Sequence, residues 1–172
     1  MIRALLVKVS LLLILSGCKN QSVSDFDFLR EFQIAPHTSV KDPIIHEILL
    51  DFLKDVEDVA PKDKIEKNLS KLVSYRFESL NSYIKENDYV GLCNVWLTGY
   101  RDIAIAPIYL YYPHLLRSIV YHELGNCLLD LEHDESRHSF MSEFLFGTDE
   151  YHRVFWEYEL KKFKDYILKK YK

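Results

Sequence analysis

Two histidines, a glutamate and an asparagine carry the chemistry that this sequence has to offer. His122 and Glu123 stand at the centre of Tyr121-His122-Glu123-Leu124-Gly125-Asn126-Cys127; His133 follows closely, and Ser139-Phe140-Met141 comes after a polar loop. On a helix, residues four apart share one face. Two imidazoles at that spacing reach one metal ion while a carboxylate between them polarises metal-bound water. Here the first position is His122 and the second is Asn126, a carboxamide. A carboxamide oxygen is a neutral, weak donor, and protein zinc sites are built from Cys, His, Asp and Glu. The residue types spell metal-assisted hydrolysis with one donor exchanged.

The elements that must position these residues are legible from their periodicity. Pro113-His114 opens the helix, and the apolar run Leu115, Leu116, Ile119, Val120 leads into His122. Before it, Arg101 to Ala106 alternates into a strand that ends at Pro107, with aromatic residues over Tyr109 to Tyr112. Tyr89 to Leu97 reads as another strand. Residues 64–83 fit both periods, and a strand over 71–80 is the preferred reading. Asp42-Pro43 is a cap followed by a first-turn proline, opening a helix over Ile44–Val59 with Ile45, Ile48, Leu49, Phe52, Leu53 and Val56 as its stripe. Ala60-Pro61-Lys62-Asp63 stops that helix, and His46 reads as a surface residue. Gly147-Thr148-Asp149 caps a last helix whose stripe runs from Tyr151 to Leu168, its lysine-rich end suiting the negative helix terminus. The expected class is α+β, a small twisted sheet backed by the His122 helix, with flanking helices at both ends.

The strand, the helix bearing His122-Glu123, the later His133 and the Ser-x-Met at Ser139–Met141 together resemble the metzincin-like zinc metallopeptidases. The likeness is strongest to small bacterial secreted or lipoprotein forms written HELGHC…H…SxM, and it covers roughly Ile103 to Met141. It implies a zincin-like fold with zinc as cofactor, His122 and His133 as metal ligands, Glu123 as general base and Met141 as the residue of a methionine turn. Asp130 falls where the chain reverses after the helix, and Asp is among the few types besides glycine that tolerate positive φ. The sequence departs from the family in two places. His133 comes one position later than the usual spacing, and Asn126 stands where the second zinc-binding histidine belongs.

The N-terminus reads as a targeting segment. Arg3 and Lys8 precede a short apolar run that ends in Leu15-Ser16-Gly17-Cys18, which resembles a bacterial lipobox. The implied organisation is a signal peptide over 1–17, a lipidated tether over 18–41 with Cys18 as the acylated residue, and a zincin-like domain over 42–172. The run is too short to span a bilayer, which needs about 20 apolar residues; acyl chains anchor instead. Without Arg3 and Lys8 the chain carries 20 basic and 26 acidic residues, net charge −6. That balance argues against a nucleic-acid binder, which would show a basic face. The remaining cysteines, Cys93 and Cys127, favour one disulfide outside the cytoplasm, the alternative being two buried thiols.

The expected protein is thus a lipoprotein of the bacterial cell envelope, anchored through its N-terminal lipid. Its HExxN site binds zinc weakly or not at all, cleaves peptide poorly, and leaves the groove beside the 102–106 strand to hold an extended peptide by strand addition. The alternative is an active zinc endopeptidase with Asp130, Asp134 or His138 as substitute third ligand.

Overall fold

A computed structural model describes residues 39–80, 89–134, 139–142 and 147–172. The leader, Cys18, most of the tether and His138 lie outside the described residues. The order of elements is α1 (Pro43–Val56), α2 (Lys62–Leu69), β1 (Leu72–Phe77), β2 (Gly91–Val95), β3 (Arg101–Ile105), a 3-10 helix (Pro107–Tyr111), α3 (Pro113–Leu129) and α4 (Asp149–Tyr171). Helices and a small sheet make the class α+β. Among the described residues, no helix is long and apolar enough to cross a membrane.

Asp42 caps α1 by accepting from the amides of Ile44 at 2.9 Å and Ile45 at 3.3 Å. Pro43 occupies the first turn, where its missing N–H costs nothing. Ile45, Leu49, Phe52 and Val56 form the buried stripe. The helix ends at Val56 rather than Val59, and residues 57–59 continue as a turn in which the amides of Val59 and Ala60 both bond to the Val56 carbonyl. The break at Ala60–Asp63 then separates two helices. α2 hides from the periodicity argument because it is polar, with Asn68 its only fully buried residue. β1 is shorter than the expected 71–80 strand at both ends: Lys71 belongs to the turn that ends α2, and residues 78–80 lie beyond Phe77, the last residue paired with β3.

The sheet order is β1-β3-β2, with β1 parallel and β2 antiparallel to β3. This corrects the expectation of strand addition at 102–106. β3 is the central strand, bonded on both sides and buried at all five residues. The far side of β1 is bridged by the segment before α1, where the Tyr75 amide donates to the Val40 carbonyl at 2.8 Å and the Asp42 amide to the Tyr75 carbonyl at 2.9 Å. The outer side of β2 is the edge that pairs with no other strand among the described residues.

Ile103 and Ile105 point into a core shared with α1, α3 and α4. On the other face, the buried Asp102 carboxylate accepts from Arg76 at 2.9 Å, Asn94 at 3.2 Å and Trp96 Nε1 at 2.5 Å. Three donors on one carboxylate satisfy a charge that would otherwise be costly to bury.

α3 is the axis of the domain. Of its 17 residues only Pro113, His114, Arg117, His122 and Asn126 escape full burial. α4 runs alongside in the same direction: Asp149 accepts from the amides of His114 and Leu115, Ser118 meets His152, and Tyr171 reaches the Leu129 carbonyl. The end of α3 is heavily capped. Arg101 donates to the Cys127 carbonyl, Asn68 to Leu128 at 2.9 Å, Tyr171 to Leu129 and Lys170 to Asp130. Side chains from β3, α2 and α4 thereby take up the carbonyls that a helix end leaves without partners.

Candidate metal centre

His122 and Asn126 are the two residues in the second half of α3 that are not fully buried, and their spacing puts them on one face. Asp130 ends the helix in the left-handed conformation at φ 46°, and the Leu131 amide closes the turn onto the Gly125 carbonyl at 3.1 Å. The reversed chain brings His133 back over α3. Its ring lies 5.1 Å from that of His122, with the two planes 28° apart.

A second turn, at Ser139–Ser142, supports the pair from below. Ser139 Oγ accepts from the Met141 amide at 3.2 Å, the Ser142 amide donates to the Ser139 carbonyl at 2.9 Å, and the Asp134 amide to the Met141 carbonyl at 2.7 Å. Met141 is fully buried against α3. The contact requires glycine at 125, since a Cβ there would stand 2.8 Å from Met141 Sδ. The same turn orients His122, whose Nδ1 lies 2.7 Å from the Phe140 carbonyl. A carbonyl can only accept, so Nδ1 carries the proton and Nε2 keeps its lone pair for a ligand. Burial lowers the His122 pKa to about 4; the hydrogen bond to Phe140 opposes the shift and the charge of His133 adds to it. The imidazole is neutral at neutral pH, the form that binds metals.

Glu123 is buried at 5% exposure and faces the sheet. Its carboxyl receives hydrogen bonds from the Asn126 side chain and the Cys93 backbone amide, while burial pushes its pKa up to about 8. Asn126 is therefore engaged with the very group that the resemblance casts as base. Cys93 and Cys127 are joined by a disulfide with 5.6 Å between their Cα atoms, which ties β2 to α3 beside this cluster.

The remaining expected residues divide clearly. Asp130 serves as the turn residue: its carboxylate pairs with Arg101 at 2.6 Å and with Lys64. Those two cations hold the carboxyl below its ordinary range although burial works against them. Asp130 is spent on this pairing and is no substitute ligand. Asp134 is half-buried and bridges to Ser142. Among the described residues no group of three or more His, Cys, Asp or Glu side chains is placed to hold a metal ion. Two imidazoles fall one short of the three protein ligands of catalytic zinc sites, so the described residues do not fit such a centre. Sequence reasoning missed Gly91, the Cys93 amide and the Phe140 carbonyl. Two of these are backbone groups, which no residue type advertises. Compared with family models, curated proteins and solved structures, the chain matches none.

Proposed function

We propose that this is a zincin-like domain whose metal site has lost one donor. In this reading it belongs to a lipoprotein of the bacterial cell envelope, held at a membrane by acyl chains on Cys18. It binds extended peptide and cleaves it weakly or not at all. The observation that carries the reading is the fate of Asn126. It occupies the second ligand position beside an oriented His122, yet its side chain is hydrogen-bonded to Glu123. The zincin-like part draws support from the His122–His133 pair and from Met141 packed under Gly125. The peptide part draws support from the outer edge of β2, which adjoins Glu123 and pairs with no other strand among the described residues. An extended peptide adds to such an edge through main-chain hydrogen bonds.

Metal analysis of the purified protein tests the reading. Far less than one zinc per chain is expected, rising sharply in Asn126→His. Stoichiometric zinc in the unsubstituted protein overturns it in favour of an active peptidase whose third ligand is Asp134 or His138. In that case Glu123→Gln abolishes peptide cleavage.

A further inference from the structure

β2 and β3 are bonded through the even-numbered residues of β2 and its flanks. The Ala106 amide donates to the Val90 carbonyl at 3.0 Å and the Trp96 amide to the Tyr100 carbonyl at 2.9 Å. Gly91, Cys93 and Val95 lie opposite Ile105, Ile103 and Arg101 as the intervening pairs. In an antiparallel ladder such residues turn their N–H and C=O groups away from the partner strand. These three residues therefore carry the row of outward groups that an added strand would use.

The middle donor of that row is already taken, because the Cys93 amide is bonded to Glu123. Glu123 can approach because residue 91 is glycine. A Cβ there would lie 2.6 Å from Glu123 Oε1 and 2.9 Å from its Cγ. Asn126 holds the carboxyl from its own helix, and the Cys93–Cys127 bridge keeps strand and helix together. The contact is therefore built from both sides.

We propose that Glu123 guards the β2 edge: its carboxyl occupies the Cys93 amide that an incoming extended peptide needs, so strand addition proceeds only as Glu123 is displaced. This rests on the peptide-binding reading above and adds its regulation. Asn126 becomes a positioning residue for the guard. The glutamate at the centre of the motif then limits access rather than activating water.

Two measurements test the proposal. The first is fluorescence anisotropy with a fluorescein-labelled, end-capped Thr-Val repeat of about seven residues, a strand-forming length. Glu123→Ala is expected to bind it about tenfold tighter than the unsubstituted protein, the worth of one competing hydrogen bond. Glu123→Gln keeps an acceptor oxygen for Cys93 and is expected to bind as the unsubstituted protein does. Equal binding by all three overturns the guard and leaves the peptide reading standing; no binding by any of them overturns the peptide reading. The second is amide hydrogen exchange at Cys93 without peptide, which reports the contact alone. About tenfold faster exchange is expected in Glu123→Ala, with little change in Glu123→Gln. Asn126→Leu, which leaves Glu123 in place but removes its second restraint, is expected to fall between. Identical exchange in the unsubstituted protein, Glu123→Ala and Asn126→Leu overturns the guard whatever the peptide does.

Discussion

Gly125→Ala probes the interlock beneath the histidine pair. The new Cβ would meet Met141 Sδ at 2.8 Å, Leu131 Cδ1 at 3.3 Å and Phe163 Cε2 at 3.4 Å. All three side chains are fully buried, so none can retreat into solvent. Only the sulfur is well inside contact distance, and it must move by roughly 1 Å to restore normal separation. Overpacking of this kind costs about 1–3 kcal/mol, while exchanging glycine for alanine within a helix returns about 1 kcal/mol. The net loss is about 0–2 kcal/mol. Met141→Ala alone opens a cavity and costs about 2–5 kcal/mol. In the double variant the methyl at 125 enters space that the sulfur has left, so the clash vanishes and the helix gain stays. The double variant is therefore expected to be about 1–3 kcal/mol more stable than the sum of the two single losses. Urea unfolding of the four proteins gives each value. Strict additivity would refute the interlock. Because Phe140 both precedes Met141 and holds His122, Gly125→Ala should also shift the His122 ring resonances.

Glu123→Gln tests the protonation of the buried carboxyl. Its pKa is raised to about 8 from 4.5, so between those values unfolding releases a proton that the folded chain keeps. Stability is thus lost as pH rises through that window, by roughly 1.4 kcal/mol per unit. Relative to the unsubstituted protein the variant should gain stability across the window and show a constant difference below it; a flat difference throughout removes the premise. Taking the difference also cancels His122, whose lowered pKa has the opposite consequence, a loss as pH falls from 6.5 to 4. Replacing Cys93 and Cys127 by alanine opens a loop spanning 34 positions and should cost roughly 3–4 kcal/mol in the chain-entropy view, read by denaturant midpoint. Asp102→Ala leaves Arg76 paired with Glu78 at 2.6 Å but strands the Asn94 and Trp96 donors, and should cost about 1–3 kcal/mol; a change below about 0.5 kcal/mol would show that water replaces the carboxylate. Cys18→Ala should move the protein from the membrane to the soluble fraction of fractionated cells, and unchanged retention rules out the acyl anchor.

Much of the frame was legible because amphipathic stripes survive burial. Asp42-Pro43 and the Ile45–Val56 stripe placed α1, and Thr148 with the aromatic stripe beyond it placed α4. α2 was illegible because a helix that buries little has no stripe to read. The position of β3 was misjudged for a different reason. The groove expected beside 102–106 is filled, because β1 and β2 pair with β3 on its two sides, and which strands become neighbours is not encoded locally. At the site, the approach of His133 to His122 and the left-handed Asp130 follow from the motif. The bond from Asn126 to Glu123 and the fit of Glu123 over Gly91 depend on where β2 lies, which local sequence does not encode.

The capping of α3 bears on the order in which the molecule takes shape. Its terminal carbonyls wait for Lys170 and Tyr171, whose partners lie 40 and 42 positions earlier in the chain. On a ribosome, the helix that presents His122 and Glu123 therefore emerges well before its end can be closed. Contacts across such a separation pay loop-closure entropy before they are rewarded. Until α4 has been made and laid alongside, the Leu129 and Asp130 carbonyls lack these two donors, while Arg101, Asn68 and Lys64, all earlier in the chain, already hold the rest of the turn. The last two contacts that close the helix bearing His122 are accordingly made only once α4 is in place.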